Sequence, residues 1–150
     1  MKVTKSTILV FFLAIVLIVF GVVAFAPASF SALQQVSLIT ALTALLSFLF
    51  SLVTHDYSWT DRLWSTLPVA YAWIYAQAAS FHAGALVAAL LITLWGARLT
   101  YNFARRGGYT GEEDYRWSIL NKRIGNPFGW IIFNLLFIAS YQQFLFIAFT

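Results

Sequence analysis

Apolar residues in this chain come in long uninterrupted runs, and polar positions cluster in the gaps between them. Five such runs can be read: Thr7 to Ala26, about Leu33 to Val53, about Leu63 to Ala79, about Ala83 to Ala104, and Phe128 to Phe149. Each approaches the roughly 20 residues that an α-helix needs to cross ~30 Å of hydrocarbon. None alternates with period two, and a segment in lipid must satisfy its own backbone groups. The pattern therefore predicts helices rather than barrel strands. The expected fold is all-α: a polytopic membrane helix bundle of about five transmembrane helices, forming a single transmembrane domain over residues 1–150. The third run is the shortest and most polar. Pro27, Pro68 and Pro127 fall at or near segment starts and turns, where a missing N–H costs little.

Composition agrees with lipid as the solvent. The chain is 61% hydrophobic and 9% charged, with mean hydropathy +0.82, whereas soluble domains carry about 25% charged residues. Charge placement then orients the bundle. If the runs alternate in direction, the N-terminus and the 54–62 and 105–127 segments share one face. Lys2, Lys5, Arg62, Arg105, Arg106, Arg116, Lys122 and Arg123 lie there, and Arg98 is near that end of the fourth run. These are all 9 lysines and arginines. The charged face, with the N-terminus, is therefore expected to be cytoplasmic. A net charge of +4 dispersed in this way does not make a nucleic-acid surface. The absence of cysteine excludes a disulfide framework and thiolate chemistry. Lys2 and Lys5, the first apolar run and Ala24-Phe25-Ala26 also have the layout of a signal peptide with an A-x-A site. That run exceeds the usual core of about 7–15 residues and further spans follow, so it is expected to be retained.

The candidate chemistry lies where polar groups interrupt the grease. In "DYSWTDRLWSTLPVAYAWIYA" (56–76), Asp61 precedes a helix, where a carboxylate can cap free N–H groups. Trp59 and Trp64 sit at headgroup depth. Trp64, Pro68, Tyr71 and Tyr75 follow at i, i+4, i+7 and i+11 as one helical stripe. Packing explains such a stripe; alternatively it lines a pocket for an apolar ligand, with Tyr71 or Tyr75 as a proton or hydrogen-bond donor. A second stripe, Trp95, Arg98, Asn102 and Arg105, runs along the fourth helix. Arg98 either snorkels to the interface or faces the bundle interior with Asn102 to meet an anion. Arg105-Arg106-Gly107-Gly108 ends that helix and offers cations for a phosphate. Glu112, Glu113 and Asp114 follow, and pairing with Arg105, Arg106 and Arg116 is expected. Helices three and four are joined by a short turn and must pack side by side. Asp61, Arg62 and Trp64 are thus expected to join the end of helix four and the Glu113, Asp114, Arg116 patch in one network at the cytoplasmic mouth.

Three blocks, "DRLW" (61–64), "LWGARLTYN" (94–102) and "GEEDYRW" (111–117), with the spacing between them, resemble the DUF1295 family of integral membrane proteins. That family is a branch of the steroid 5α-reductase-like superfamily, and the resemblance covers about residues 50–130. It implies a multi-helix membrane enzyme that uses NADPH to reduce an activated carbon–carbon double bond in an apolar, lipid or sterol-like substrate. The cofactor would sit at the cytoplasmic face, with Arg98, Asn102, Arg105 and Arg106 as its candidate contacts here. Family members carry a C-terminal tract resembling G-L-W-R-Y-S-R-H-P-N-Y that supplies most of the dinucleotide site. No such tract occurs in this sequence, so the expectation is the N-terminal part of a longer protein or a truncated relative, inactive in isolation.

Other motifs are absent: no G-x-G-x-x-G, P-loop, G-x-S-x-G or H-E-x-x-H. His55 and His82 fall on opposite faces, so no metal site is expected. Two further classes stand beside the reductase: a transporter fragment, weakened by the lack of paired intramembrane acids, and a non-catalytic structural or assembly subunit whose polar stripes are helix–helix glue. The expected partners are membrane lipid and an apolar small molecule. The expected location is a bacterial inner membrane or the eukaryotic endoplasmic reticulum.

Overall fold

The computed structural model describes residues 3–150; Lys2, counted above among the cytoplasmic charges, lies outside the described residues. Helices α1 (Lys5–Phe25) and α2 (Ala32–Thr54) both open on capping boxes. Thr4 and Thr7 exchange side-chain and backbone bonds at the first, and Ser31 and Gln34 do so at the second. Each box satisfies two of the N–H groups that a helix start leaves free. His55 then ends α2 in the left-handed conformation, at φ 55°.

The third apolar run does not form one long helix. A 3-10 turn at Asp61–Leu63 leads into α3 (Leu67–Ala78). Pro68 sits in the first turn of α3, where its missing N–H breaks no bond. With 12 residues α3 covers only about 18 Å. It packs antiparallel on α4 (Ala83–Arg105) through small residues: Ala72 and Ala76 meet Ala89. Trp73 Nε1 donates to Thr93, and Thr100 donates to Ser65 at the other end. Gly96 permits the approach, since a Cβ there would stand 2.6 Å from the Ser65 carbonyl oxygen.

The 105–127 segment, read from sequence as a loop, contains a further helix, α5 (Tyr115–Ile124). Asp114 caps its start, Gly125 ends it at φ 62°, and Trp117, Leu120 and Ile124 form its packed side. The last helix, α6 (Pro127–Ala148), holds a π-helical stretch at Asn134–Tyr141 between two regular ends. Four helices, α1, α2, α4 and α6, are long and apolar enough to cross a membrane. No strand occurs among the described residues, and the molecule is an all-α integral membrane protein.

Phe11 anchors the core, with its ring 5.1 Å from Phe50 and 4.6 Å from Trp59, among Ile39, Leu63, Leu67 and Phe146. A polar seam joins α2 to its neighbours inside this apolar surround. Tyr71 shares a 2.8 Å hydrogen bond with Thr40. Thr43 donates to Gln143 Oε1, Gln143 Nε2 donates to Ser47, and Asn134 Nδ2 donates to Ser51. Without water, each of these groups needs a protein partner.

Candidate functional site

The segment after α2 is folded back on itself by its own side chains. Asp56 Oδ1 accepts from the Ser58 N–H at 2.8 Å, and Asp56 Oδ2 pairs with Arg62 Nη2 at 2.8 Å. Arg62 is fully buried and its guanidinium carbon lies 4.6 Å from the Trp59 ring centroid. From there Arg62 reaches the segment after α4, donating to the carbonyls of Gly108 and Glu112 at 3.2 and 3.5 Å. Two more bonds fasten the same segments. Glu113 Oε1 accepts from the Tyr57 N–H, and the Asp114 N–H donates to Ser58 Oγ. Partial burial pushes the Glu113 carboxyl up, against the Tyr57 bond. A buried charge is tolerated where it is paired and hydrogen-bonded; Arg62 meets both conditions, with Nη1 alone lacking an acceptor.

Beside this junction a cleft of about 510 Å³ opens between the 3-10 turn, the C-terminal end of α4, the start of α5 and the middle of α6. Leu99, Phe103, Phe137 and Leu145 give it apolar walls, flanked by Trp64, Trp117 and Tyr141. Its polar end holds Asp61, Asp114 and Arg116. Arg116 donates from Nε and Nη2 to both Asp114 oxygens, which holds the Asp114 carboxyl below its ordinary value. Asp61 has no cation within 4 Å among the described residues. Its carboxylate accepts instead from Trp117 Nε1 at 2.6 Å. Burial pushes this group up to about 6, opposed by the Trp117 bond and by the more distant Arg116. Deeper in the cleft Gln142 accepts from Trp64 Nε1 through Oε1, leaving its amide N–H donors free. A carboxyl that titrates near neutrality, set against an apolar wall, can hold or release a proton at that point.

The structure redistributes the residues expected at the site. Asp61, Trp64, Asp114 and Arg116 line the cleft together, while Arg62 and Glu113 support it from the junction. Asp61 caps no helix, because its oxygen is taken by Trp117. Tyr71 is fully buried with its hydroxyl committed to Thr40, and half-buried Tyr75 packs against the main core. Neither lines the cleft. Arg98 is exposed rather than interior. The packed side of α4 is defined by Gly96, and two residues on, at about 100° each, puts Arg98 on the opposite side. Asn102 is half-buried and makes no side-chain hydrogen bond among the described residues. Arg105 and Arg106 are exposed and make no ion pair with the acidic run among the described residues; within that run Glu113 accepts from the Tyr57 N–H and Asp114 pairs with Arg116. Sequence reasoning missed Ser65, Tyr141 and Gln142. It also missed the α2 seam, whose signal was legible as Thr40, Thr43, Ser47, Ser51 and Thr54 at i, i+3, i+7, i+11 and i+14.

The fold and this mouth define a polytopic helical membrane protein with a cleft at the charged end of its bundle. A family model described as "Protein of unknown function (DUF1295)" matches residues 47–150, and the chain belongs to that family. The matched region takes in the whole junction and every cleft residue, and leaves out α1 and the first part of α2. The chain is 46% identical over 72 residues to "Uncharacterized protein C594.04c" of Schizosaccharomyces pombe, covering 45% of this chain and 21% of that protein. It thus spans about a fifth of the length of that curated relative. No solved structure matches it.

Proposed function

We propose that this chain is the substrate-binding part of an NADPH-dependent membrane reductase acting on a carbon–carbon double bond of an apolar, lipid or sterol-like molecule. The supporting observation is the cleft itself: apolar walls for a flat hydrophobic body, bounded at its polar end by the half-buried Asp61 carboxyl. Family resemblance supplies the reaction class.

A dinucleotide's phosphates fit only part of this surface. The cleft's own polar end carries two carboxylates against one arginine already paired, and so disfavours phosphate. Arg105 and Arg106 stand exposed with no carboxylate within 4 Å among the described residues, two and three positions beyond Phe103 of the cleft wall. Those two would hold the phosphates as charge-assisted donors. NADPH, when bound, would supply the hydride. Within this chain, Phe103, Phe137 and Leu145 would exclude water, Gln142 would orient a polar group of the substrate through its free N–H, and Asp61 would hold the proton that completes the reduction.

The test uses the protein in detergent, in the longest chain of the family that carries these residues, with a sterol enone as probe. NADPH-dependent loss of the enone ultraviolet absorbance is expected. Arg105→Ala should raise the NADPH dissociation constant about tenfold, the usual scale for losing one charge-assisted contact, and Lys5→Ala should leave it unchanged. Equal effects of the two would reduce Arg105 to a topology signal. The competing reading of a non-catalytic subunit rests on the fully bonded α2 seam; no NADPH oxidation with any apolar enone would favour it.

A further inference from the structure

A second cleft, of about 440 Å³, lies across the junction from the first, between the end of α2, the end of α5 and the start of α6. Its polar lining is unusual for a protein of this composition. His55, Tyr57, Asn121, Asn126 and Trp130 contribute to it, and no carboxylate does. Trp130 is 3% exposed, and its Nε1 is fully buried without an acceptor. Asn126 spends Oδ1 on the Phe128 N–H, so its amide hydrogens remain free. Asn121 makes no side-chain hydrogen bond among the described residues, although its backbone carbonyl accepts from Gly125. The carboxylates next to the lining residues are engaged elsewhere, Glu113 by the Tyr57 N–H and Asp56 by Arg62. Lys122 and Arg123 follow Asn121 on α5, both exposed.

We infer that this cleft binds the phosphate of an anionic phospholipid headgroup, with Trp130 Nε1 and the amides of Asn121 and Asn126 as donors and Lys122 as flanking charge. Three features converge on an acceptor-rich, negatively charged occupant. Trp130 and Asn126 present free donors, one of them a buried N–H that a ligand oxygen would satisfy, and Asn121 adds an amide with both its donor and acceptor free. The lining itself holds no carboxylate, and exposed Lys122 follows Asn121 at its edge. The depth is also right, because Trp130 lies within the first turn of a membrane-spanning helix that begins at Pro127, on the face that carries the cations. Apolar Leu52 and Ile131 at the same cleft give the acyl chains a surface. The site shares no lining residue with the cleft assigned to substrate, so it stands or falls independently of the reductase reading.

The experiment is an indole ¹⁵N–¹H spectrum of the chain in neutral detergent, labelled at tryptophan, with the Trp130 signal assigned as the one lost in Trp130→Phe. Short-chain phosphatidylglycerol should shift that signal saturably, and short-chain phosphatidylcholine should do so at least fivefold more weakly. Asn121→Ala and Lys122→Ala should each weaken the titration severalfold, while the remaining indole signals confirm an intact fold. Inorganic phosphate alone should leave the signal in place. A shift with inorganic phosphate equal to that with the lipid would assign the site to a soluble anion and overturn the lipid assignment. A Trp130 signal unmoved by phosphatidylglycerol would also overturn it, leaving the ring of Tyr57, centred 4.9 Å away, as the indole's neighbour in place of a ligand.

Discussion

Asp61 and Arg62 are adjacent in sequence and meet opposite fates. Arg62 is sealed between Asp56, Trp59 and two carbonyls, so truncation would leave the Asp56 carboxylate buried without its cation. Arg62→Ala should therefore cost about 3–5 kcal/mol, read as a lowered thermal midpoint in detergent and early proteolysis after α4. Asp61 instead carries a proton more tightly in the folded chain, at about 6 against an ordinary 3.8. Its contribution to stability is thus fully present below about pH 4 and is lost as pH rises through about 6, a loss on the order of 2–3 kcal/mol at most. Asp61→Asn removes that titration while keeping an acceptor for Trp117. The variant should show a flatter pH dependence of unfolding across that window and at least equal stability at neutral pH. Retention of the original slope would assign the titration to another group. The two fates were not separable from sequence, because neither Asp56 as the partner of Arg62 nor Trp117 as the partner of Asp61 follows from spacing. The Asp61 contact depends on how two distant segments meet, and the Asp56–Arg62 pair on an irregular fold-back within one segment.

At the level of elements, apolar run length was an accurate guide wherever a helix is surrounded by lipid. α1, α2, α4 and α6 begin and end within about two residues of the boundaries read from sequence. It was a poor guide where helix meets helix. The run at 63–79 reads as one span, yet its first part is a 3-10 turn and an irregular stretch, because the Ser65 carbonyl presses against Gly96 and fixes the backbone there. That close contact makes Gly96 a sharp test. A Cβ would stand 2.5 Å from Val69 Cγ2 and 2.6 Å from a backbone oxygen that cannot swing aside. Gly96→Ala should destabilise by about 1–3 kcal/mol and narrow the cleft that Ser65 lines. Unfolding like the unmodified chain would mean that α3 and α4 pack less closely. The π stretch of α6 had no sequence signal either. Gln142 and Gln143 are neighbours in sequence, yet one turns to Trp64 and the other to α2. Gln143→Leu removes the α2 contacts and should cost roughly 0.6–2 kcal/mol by the same measurement, without displacing Gln142.

For the whole molecule, the question is how many times the chain crosses the membrane when, among the described residues, four helices are long enough to do so alone. The contacts answer it from both ends of the α3–α4 hairpin. Ser65 pairs with Thr100, and Trp73 with Thr93, so the segment from Thr60 to Ala79 runs the length of α4 in the opposite sense. Arg62 reaches Gly108, Ser58 accepts from Asp114, and a Cβ on Gly111 would meet the Val3 carbonyl at 2.8 Å. The N-terminal end, the 55–62 segment and the 105–114 segment therefore share one face. That is the grouping the charge pattern requires. Were 60–79 to stay on that face, α4 would carry Arg105, Arg106, Arg116, Lys122 and Arg123 to the other side, against the bias that orients short loops. On that grouping α3 is expected to cross together with the irregular turns before it, where the Ser65 carbonyl lies against Gly96 of α4. The chain contains no cysteine, so single introduced thiols report sidedness without background. In intact cells a membrane-impermeant maleimide should label Ser29→Cys and Ala79→Cys and leave Thr110→Cys unlabelled until the membrane is opened. Protection of Ala79→Cys with labelling of Ser29→Cys would show that the hairpin does not traverse, and would remove the cytoplasmic placement of both clefts with it.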